Sequence, residues 1–345
     1  MLEDPKLDPR DLATALRAGW AVEATAFRFV PGYDMHAASY EVATPGARAF
    51  LKVRFGPAAD APLEVPRALL DAGVPNILAP KRTLSSALWH AMGDGRTLTL
   101  YPFVAGRNAM EAGMTADQWR SFGSTLRAVH DSALAERLVD RLPAETFGLA
   151  SAAAVRATLD AANRPPTRSP AGERLGALLR GKRSRIEAIL ERAAELGARL
   201  GERPLARVLC HADIHAANVL VADDGRILLV DWDGPMFAPR ERDLMFIIGS
   251  RIARPVEPHE EAWFFEGYGE FRVDPDAIVY YRYERILEDL GEIGSSVFGD
   301  RVQPESSRES EVSLAEGFFG PGGILEDVER VWPRPVAAPT SAASG

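Results

Sequence analysis

The chain has 345 residues, 46% of them hydrophobic and 26% charged, with a formal net charge of -9. That composition is ordinary for a globular protein, and the length suffices for two lobes around a sizeable core. The acidic balance argues against a nucleic-acid or anionic-membrane partner, the single Cys210 excludes an internal disulfide framework, and no apolar run approaches a membrane span. The opening "MLEDPKLDPR" is acidic and proline-broken, so no secretory signal is expected and a cytoplasmic location fits.

The first hundred residues predict strands and turns. "AFRFV" (26–30), "SYEVA" (39–43) and "RAFLKVRF" (48–55) alternate or run apolar around the turn-rich "PGYDMHAA", with Lys52 near the centre of the third strand. A short helix is expected from Leu63 to Ala72, ended by Gly73, with Pro66 tolerable only in its first turn. "ALWHAM" and "TLTLYPFV" predict a further strand pair joined at "GDGR". After a connector near 101–106 the pattern becomes helical. "TADQWRSFGSTLRAVHDSAL" (115–134) spaces Trp119, Phe122, Leu126 and Val129 at helical intervals behind Thr115 as N-cap. A loop at 162–172 precedes a long amphipathic helix from about Glu173 to Leu200. A strand-loop-strand follows at 205–233, and then further helices including "DAIVYYRYERILEDLGEI". This order implies an α+β protein with a small β-rich N-terminal lobe and a larger helical C-terminal lobe. The boundaries fall at 1–103 and 104–332, and a tail over 333–345 is expected to be disordered.

The stretch that carries chemistry is "CHADIHAAN" (210–218), followed at 231 by "DWDG". Polar groups set between apolar runs are costly to bury without partners. Asp213, acceptor-only when ionised, suits proton removal from a hydroxyl. Asn218 offers a neutral amide oxygen and Asp231 a carboxylate, and a turn at "ADDGR" can bring the two together. Hard oxygen ligands completed by phosphate oxygens and water are how Mg²⁺ is commonly held beside a nucleotide. A base five residues before an asparagine, with an aspartate on the next hairpin, is the plan of phosphoryl transfer. A transition-metal site built on His211, Asp213 and His215 is an alternative, but His36, His90, His130 and His259 supply no third soft ligand in the same cluster. For His211 and His215 themselves, bracing of the loop is the favoured role.

Those residues carry a family resemblance. "LCHADIHAANVLV…ILLVDWDGPMFAPRERDLMF" resembles the aminoglycoside phosphotransferases, small-molecule relatives of the protein kinases. "PMFAPRERDLMF", "EGYGEFRVD" and "YYRYERILEDL" resemble the spectinomycin 9-O-phosphotransferases within that family, and the likeness runs from about residue 10 to 325. The resemblance implies a protein-kinase-like two-lobed fold and transfer of the γ-phosphate of ATP or GTP, with Mg²⁺, to a hydroxyl of a small cationic aminocyclitol. Spectinomycin is the expected substrate and antibiotic resistance the expected outcome. It makes Asp213 the base, Asn218 and Asp231 the metal ligands, and Lys52 the lysine on the α/β-phosphates. It expects a carboxylate for Lys52 on the following helix, Glu64 or else Asp60. It also places adenine on the backbone of the connector, at the Tyr101 carbonyl and the Phe103 amide. The phosphate loop, Gly32 to Ser39, lacks the glycine pattern of protein kinases. Asp233 stands as a second metal ligand, a substrate contact or a solvated neighbour.

Residues 241–300 hold 14 Asp and Glu against 6 Arg and no Lys, which suits a cationic substrate or an ordinary solvated surface. Arg282, Arg285 and Asp289 share a helix face with Glu284 and Glu288 alongside, an arrangement equally suited to a surface salt-bridge network. No counterpart of a kinase activation loop is present, so no protein substrate is expected. A metabolic kinase for an amino alcohol or sugar, and a nucleotide-binding regulator without turnover, are the alternatives.

Overall fold

The computed structural model describes residues 4–32, 36–164, 169–299 and 304–330. The helix α1 (Pro9–Trp20) opens the fold, capped by the Asp8 carboxylate, which accepts from the Arg10 amide at 2.8 Å. The strands β1 (Ala26–Val30), β2 (Ala37–Thr44) and β3 (Ala47–Phe55) follow, then α2 (Ala61–Asp71), β4 (His90–Ala91) and β5 (Arg96–Pro102). These strands form an antiparallel sheet in the order β1-β2-β3-β5-β4. Alternation gives it two faces. Tyr40, Val42, Leu51, Val53, Leu98 and Leu100 turn toward Leu12, Leu16 and Trp20 of α1 and make one core. Phe50, Lys52 and Arg54, out of phase with the buried Ala49, Leu51 and Val53, take the opposite face.

The helical part contains β6 (Gly106–Asn108), α3 (Ala109–Ala112), α4 (Ala116–His130), α5 (Leu134–Leu138), α6 (Ala152–Ala161) and the 32-residue α7 (Pro170–Gly201). After it come β7 (Val208–Cys210), β8 (Val219–Ala222), β9 (Ile227–Leu229), β10 (Met236–Ala238), α8 (Glu241–Leu244), α9 (Pro258–Tyr268), α10 (Pro275–Phe298), α11 (Glu305–Phe319) and α12 (Ile324–Arg330). Thr115 and Gln118 close a reciprocal capping box at the start of α4. Helices α4 and α9 approach so closely that a Cβ on Gly123 would lie 2.0 Å from the Phe264 carbonyl oxygen, and one on Gly267 1.9 Å from that of Arg120. Trp119, Phe122, Phe264, Tyr280, Tyr281 and Leu287 belong to the second, larger core.

One expectation about the start of α2 needs correction. Pro66 lies inside α2, at its sixth position, because the helix begins at Ala61. There it forgoes the bond that an amide would have given the Pro62 carbonyl. Val65 and Leu69 of the same helix pack into the larger core, not the sheet's. The proposed tail, 333–345, lies outside the described residues. Among the described residues, no helix is long and apolar enough to cross a membrane.

Candidate active site

The loop after β7 is built around a buried carboxylate that the sequence did not single out. Asp243 at the end of α8 is wholly buried and accepts from the backbone amides of His211 (2.9 Å) and Ala212 (2.7 Å). Its Oδ2 also lies 3.0 Å from Nε2 of His130, whose Nδ1 meets the Tyr268 hydroxyl at 2.8 Å. Ala212 sits at φ 70°, a left-handed conformation unfavourable for a residue with a Cβ. The two amide bonds to Asp243 hold that turn, and the turn aims Asp213. Burial alone would raise the Asp243 pKa, but the His130 bond, the nearby imidazoles and the amide donors hold it below the usual carboxylate value. One acid within "RDLMFII" was the available signal.

His211 and His215 brace the loop. His211 Nε2 lies 2.9 Å from the Val230 carbonyl, its Nδ1 accepts from the Asp213 amide at 3.4 Å, and its ring packs against Trp232. His215 Nδ1 accepts from the Ala217 amide at 3.2 Å, and its Nε2 stands 3.6 Å from Asp213 Oδ2. His130, Cys210 and Asp243 offer possible ligand atoms within 4.8 Å of one another. Both nitrogens of His130 are engaged with Tyr268 and Asp243, and the Cys210 thiol faces the Ala238 and Pro239 carbonyls at 3.5 and 3.6 Å. This cluster is a closed structural knot.

The Asp213 carboxylate divides its oxygens. Oδ1 accepts from Arg285 Nη1 at 2.5 Å, and Oδ2 has only longer contacts, to Asn218 Nδ2 at 3.4 Å and to His215. Burial works to raise its pKa, but the His215 contact, the Arg285 charge and the neighbouring imidazoles outweigh this and hold it below the ordinary value. Asn218 donates from Nδ2 to the Asp213 carbonyl at 2.7 Å, which fixes the amide and leaves Oδ1 on its other side. The expected hairpin is present: the Ala222 amide donates to Arg226 at 2.8 Å, Gly225 turns at φ 88°, and the Val230 amide donates to Asn218 at 3.0 Å. That last bond sets Asp231, at φ 63°, one residue beyond Asn218's partner.

Across the cleft stands the sheet. Ser39, Lys52 and Thr99 are in register on its open face, as are Glu41, Phe50 and Tyr101. Lys52 Nζ lies 3.6 Å from Asp231 Oδ1 and 3.5 Å from Asp233 Oδ2, and Arg54 Nη2 lies 3.8 Å from Asp233. Asp231 lies deep between the lobes although its side chain still meets water in the open cleft. Burial raises its pKa, Lys52 opposes this, and the neighbouring Asp233 and Asp213 charges add to the rise. An amide oxygen and two crowded carboxylates form a set of hard oxygen donors, and that set fits Mg²⁺.

Glu64 is not brought to Lys52. Its carboxylate is held by Arg141, with Oε1 2.6 Å from Nη2, and Asp60 accepts from the Trp89 indole at 3.2 Å. Among the described residues, the carboxylates beside Lys52 come from the opposite lobe. The connector also differs by one residue. The Leu100 carbonyl accepts from the Lys81 amide at 2.7 Å, so it faces away from β3. Strand alternation then turns the Tyr101 carbonyl into the ladder with Phe50 and leaves that of Pro102 as the next facing outward, with Val104 two residues on. Phe103 instead places its ring under the Arg48 guanidinium, 4.1 Å from its centroid. Gly32 and Ser39 flank residues 33–35, which lie outside the described residues.

The helix α10 is no surface network. Arg282 is 4% exposed, and its guanidinium bonds the Ile248 carbonyl. Glu284 accepts from the buried Arg242 at 2.9 Å, and Arg285 reaches Asp213 itself.

A lysine-bearing antiparallel sheet facing two acidic loops of a helical lobe defines the kinase-like small-molecule phosphotransferases, enzymes that draw on a nucleotide such as ATP. The model of the phosphotransferase enzyme family matches residues 32–278, and the chain belongs to that family. It is similar to the spectinomycin phosphotransferase APH(9)-Ia, solved in complex with ADP and spectinomycin, at 28% identity and a TM-score of 0.85. That match covers 94% of this chain and 98% of the other. The amicoumacin kinase hAmiN shares the fold at 16% identity and a TM-score of 0.60, over 95% of this chain and 96% of its own. The choline kinase LicA from Streptococcus pneumoniae shares it at 14% identity and 0.54, over 89% and 97%.

Proposed function

We propose that the chain transfers the γ-phosphate of ATP to a hydroxyl of a cationic aminocyclitol, spectinomycin at its 9-hydroxyl, and so confers resistance in the cytoplasm. The observation that carries this is the whole-chain similarity to a spectinomycin-bound phosphotransferase, joined to a cleft in which Asp213 is bonded to Arg285 of the acid-rich helix α10. Residues 1–103 would act as the nucleotide lobe and 104–332 as the catalytic and substrate lobe.

Asp213 would orient the acceptor hydroxyl and take its proton at Oδ2, the oxygen with only long contacts. Lys52 would bind phosphate oxygens, and the adenine would bond the Pro102 carbonyl and the Val104 amide. Asn218 and Asp231, with Asp233 beside them, would hold Mg²⁺. When bound, the ion neutralises charge on the phosphates. Closure of the sheet over the helical lobe would exclude water.

The test is nucleotide consumption by the purified protein with Mg²⁺ and spectinomycin, beside a panel of aminoglycosides and amino alcohols. Spectinomycin-dependent turnover that falls by about 10³-fold or more in Asp213→Asn is expected, that variant still binding nucleotide. Mass spectrometry of the product locates the phosphate. Turnover only on another panel member keeps the chemistry and replaces the substrate. Nucleotide binding without transfer to any of them points to a regulator.

A further inference from the structure

Arg285 is the feature that this function leaves unexplained. A guanidinium bonded at 2.5 Å to the proposed base occupies one of its two oxygens, and it comes from α10, 72 positions along the chain. On its other side Arg285 Nε lies 3.0 Å from Asp289 Oδ1, off line for a hydrogen bond but close enough for an ion contact. Asp289 is one turn further along the same helix, so its separation from Arg285 is fixed by the helix itself. The three side chains are 37%, 21% and 17% exposed in the order Asp213, Arg285, Asp289, so the row runs from the cleft into the protein.

We propose that Arg285, oriented by Asp289, is a positioning residue for phosphate transfer: it pins Oδ1 of Asp213 and so presents Oδ2 alone to the acceptor hydroxyl. A free carboxylate rotates about its last torsion and offers either oxygen. Here one oxygen is fixed by a short charge-assisted bond, and the other is left facing Asn218 and His215. The row is electrostatically self-consistent. Burial opposes the Arg285 charge, but Asp289, Asp213 and Glu288 more than offset it and keep the guanidinium protonated. This inference rests on Asp213 being the base.

The experiment compares steady-state kinetics of the full chain and of Arg285→Ala, Arg285→Lys, Asp289→Asn and Asp213→Asn, with melting curves to confirm folding. Misplacing a reacting group by about 1 Å costs on the order of 100-fold in rate, so Arg285→Ala should lose about that in kcat with the acceptor KM changed less than about threefold. Added guanidinium ion should restore part of the rate of Arg285→Ala and none of that of Asp213→Asn. Arg285→Lys, a point charge without the planar fork, should fall between. Asp289→Asn should lose less, and should add little to Arg285→Ala in the double variant. A raised KM with unchanged kcat would make Arg285 only a wall of the substrate pocket and overturn the proposal, as would a faster Arg285→Ala, which would make the guanidinium a latch on the base. Full activity in Asp213→Asn would instead remove the base assignment itself. If Arg285→Ala does not fold, Arg285→Lys and Asp289→Asn with the same kcat-against-KM comparison decide the question.

Discussion

At the scale of single residues, the loop that carries Asp213 is held by Asp243, a residue that does not touch the cleft. Three donors converge on this wholly buried carboxylate, two of them amides of the loop that carries Asp213. Removing it strands those amides and leaves Ala212 without what holds it at φ 70°. Loss of a buried acceptor for several donors costs about 3–5 kcal/mol, so Asp243→Ala should lower the denaturation free energy by that amount and abolish phosphate transfer. A stability within about 1 kcal/mol of the parent would mean that the loop holds itself, and the turn would need another explanation. The sequence displayed Asp213, Asn218 and Asp231 openly because their spacing is local. Asp243 was hidden because its partners lie 31, 32 and 113 positions away and it stands at the end of the charged run Arg240, Glu241, Arg242.

At the scale of elements, α10 carries its charges in the interior, and this has a consequence for pH. Burial pushes the Glu284 carboxyl from 4.5 up to about 7 against the pull of Arg242. Burial likewise pushes Asp289 from 3.8 up to about 6 against Arg285, with Glu288 and Glu292 adding to the rise. Between the lower and upper values the native chain holds protons that the unfolded chain has released. The contribution of these two groups to stability therefore falls as pH rises from about 4.5 to 7. The depressed groups Asp213 and Asp243 act with the opposite sign, and their contribution is lost only as pH falls below the ordinary carboxylate range. The Glu284→Gln, Asp289→Asn double variant should flatten the slope of denaturation free energy between pH 5 and 7 by on the order of 2 kcal/mol. The slope is the readout, because Glu284→Gln also deprives Arg242 of a carboxylate. An unchanged slope would mean that both acids are already ionised at pH 5. Several strand and helix positions were legible: β1 spans the residues expected, and α4 starts at its expected cap, whereas α2 starts earlier than its proline suggested. The direction in which α10 faces was not. Mixed Arg, Glu and Asp at helical spacing looks the same whether the opposite side is water or the rest of the helical lobe, and the Tyr101 register was hidden because the direction of the Leu100 carbonyl shows only in its bond from Lys81, about twenty positions away.

At the scale of the whole molecule, the sheet with α1 has one core, and the helices have another that includes Val65 and Leu69 of α2. The Leu229 amide donates to Asn76 at 2.8 Å and its carbonyl accepts from Leu78 at 3.1 Å, so the segment after α2 is tied to β9, next to Asp231. Glu64 is held to the same side by Arg141. Helix α2 is thus attached to the helical lobe, and the sheet meets that lobe across the cleft through Lys52 with Asp231 and Asp233. Separate cores allow the two parts to move as rigid bodies. Phosphate oxygens bound at Lys52 would replace the contact with the two aspartates by one that also engages the helical lobe through the metal site. Nucleotide binding should therefore tighten the join between the lobes. A ligand at 100 times its Kd stabilises the native state by about 2.7 kcal/mol. A nonhydrolysable ATP analogue with Mg²⁺ should show such a gain in denaturant unfolding of the parent chain. Lys52→Ala should lose most of that gain, while its ligand-free stability changes by less than about 1 kcal/mol, since a partly solvated ion pair contributes little. Retention of the full gain by Lys52→Ala would mean that the nucleotide is held without the lysine, and the cleft face of β3 would then have no part in phosphate binding.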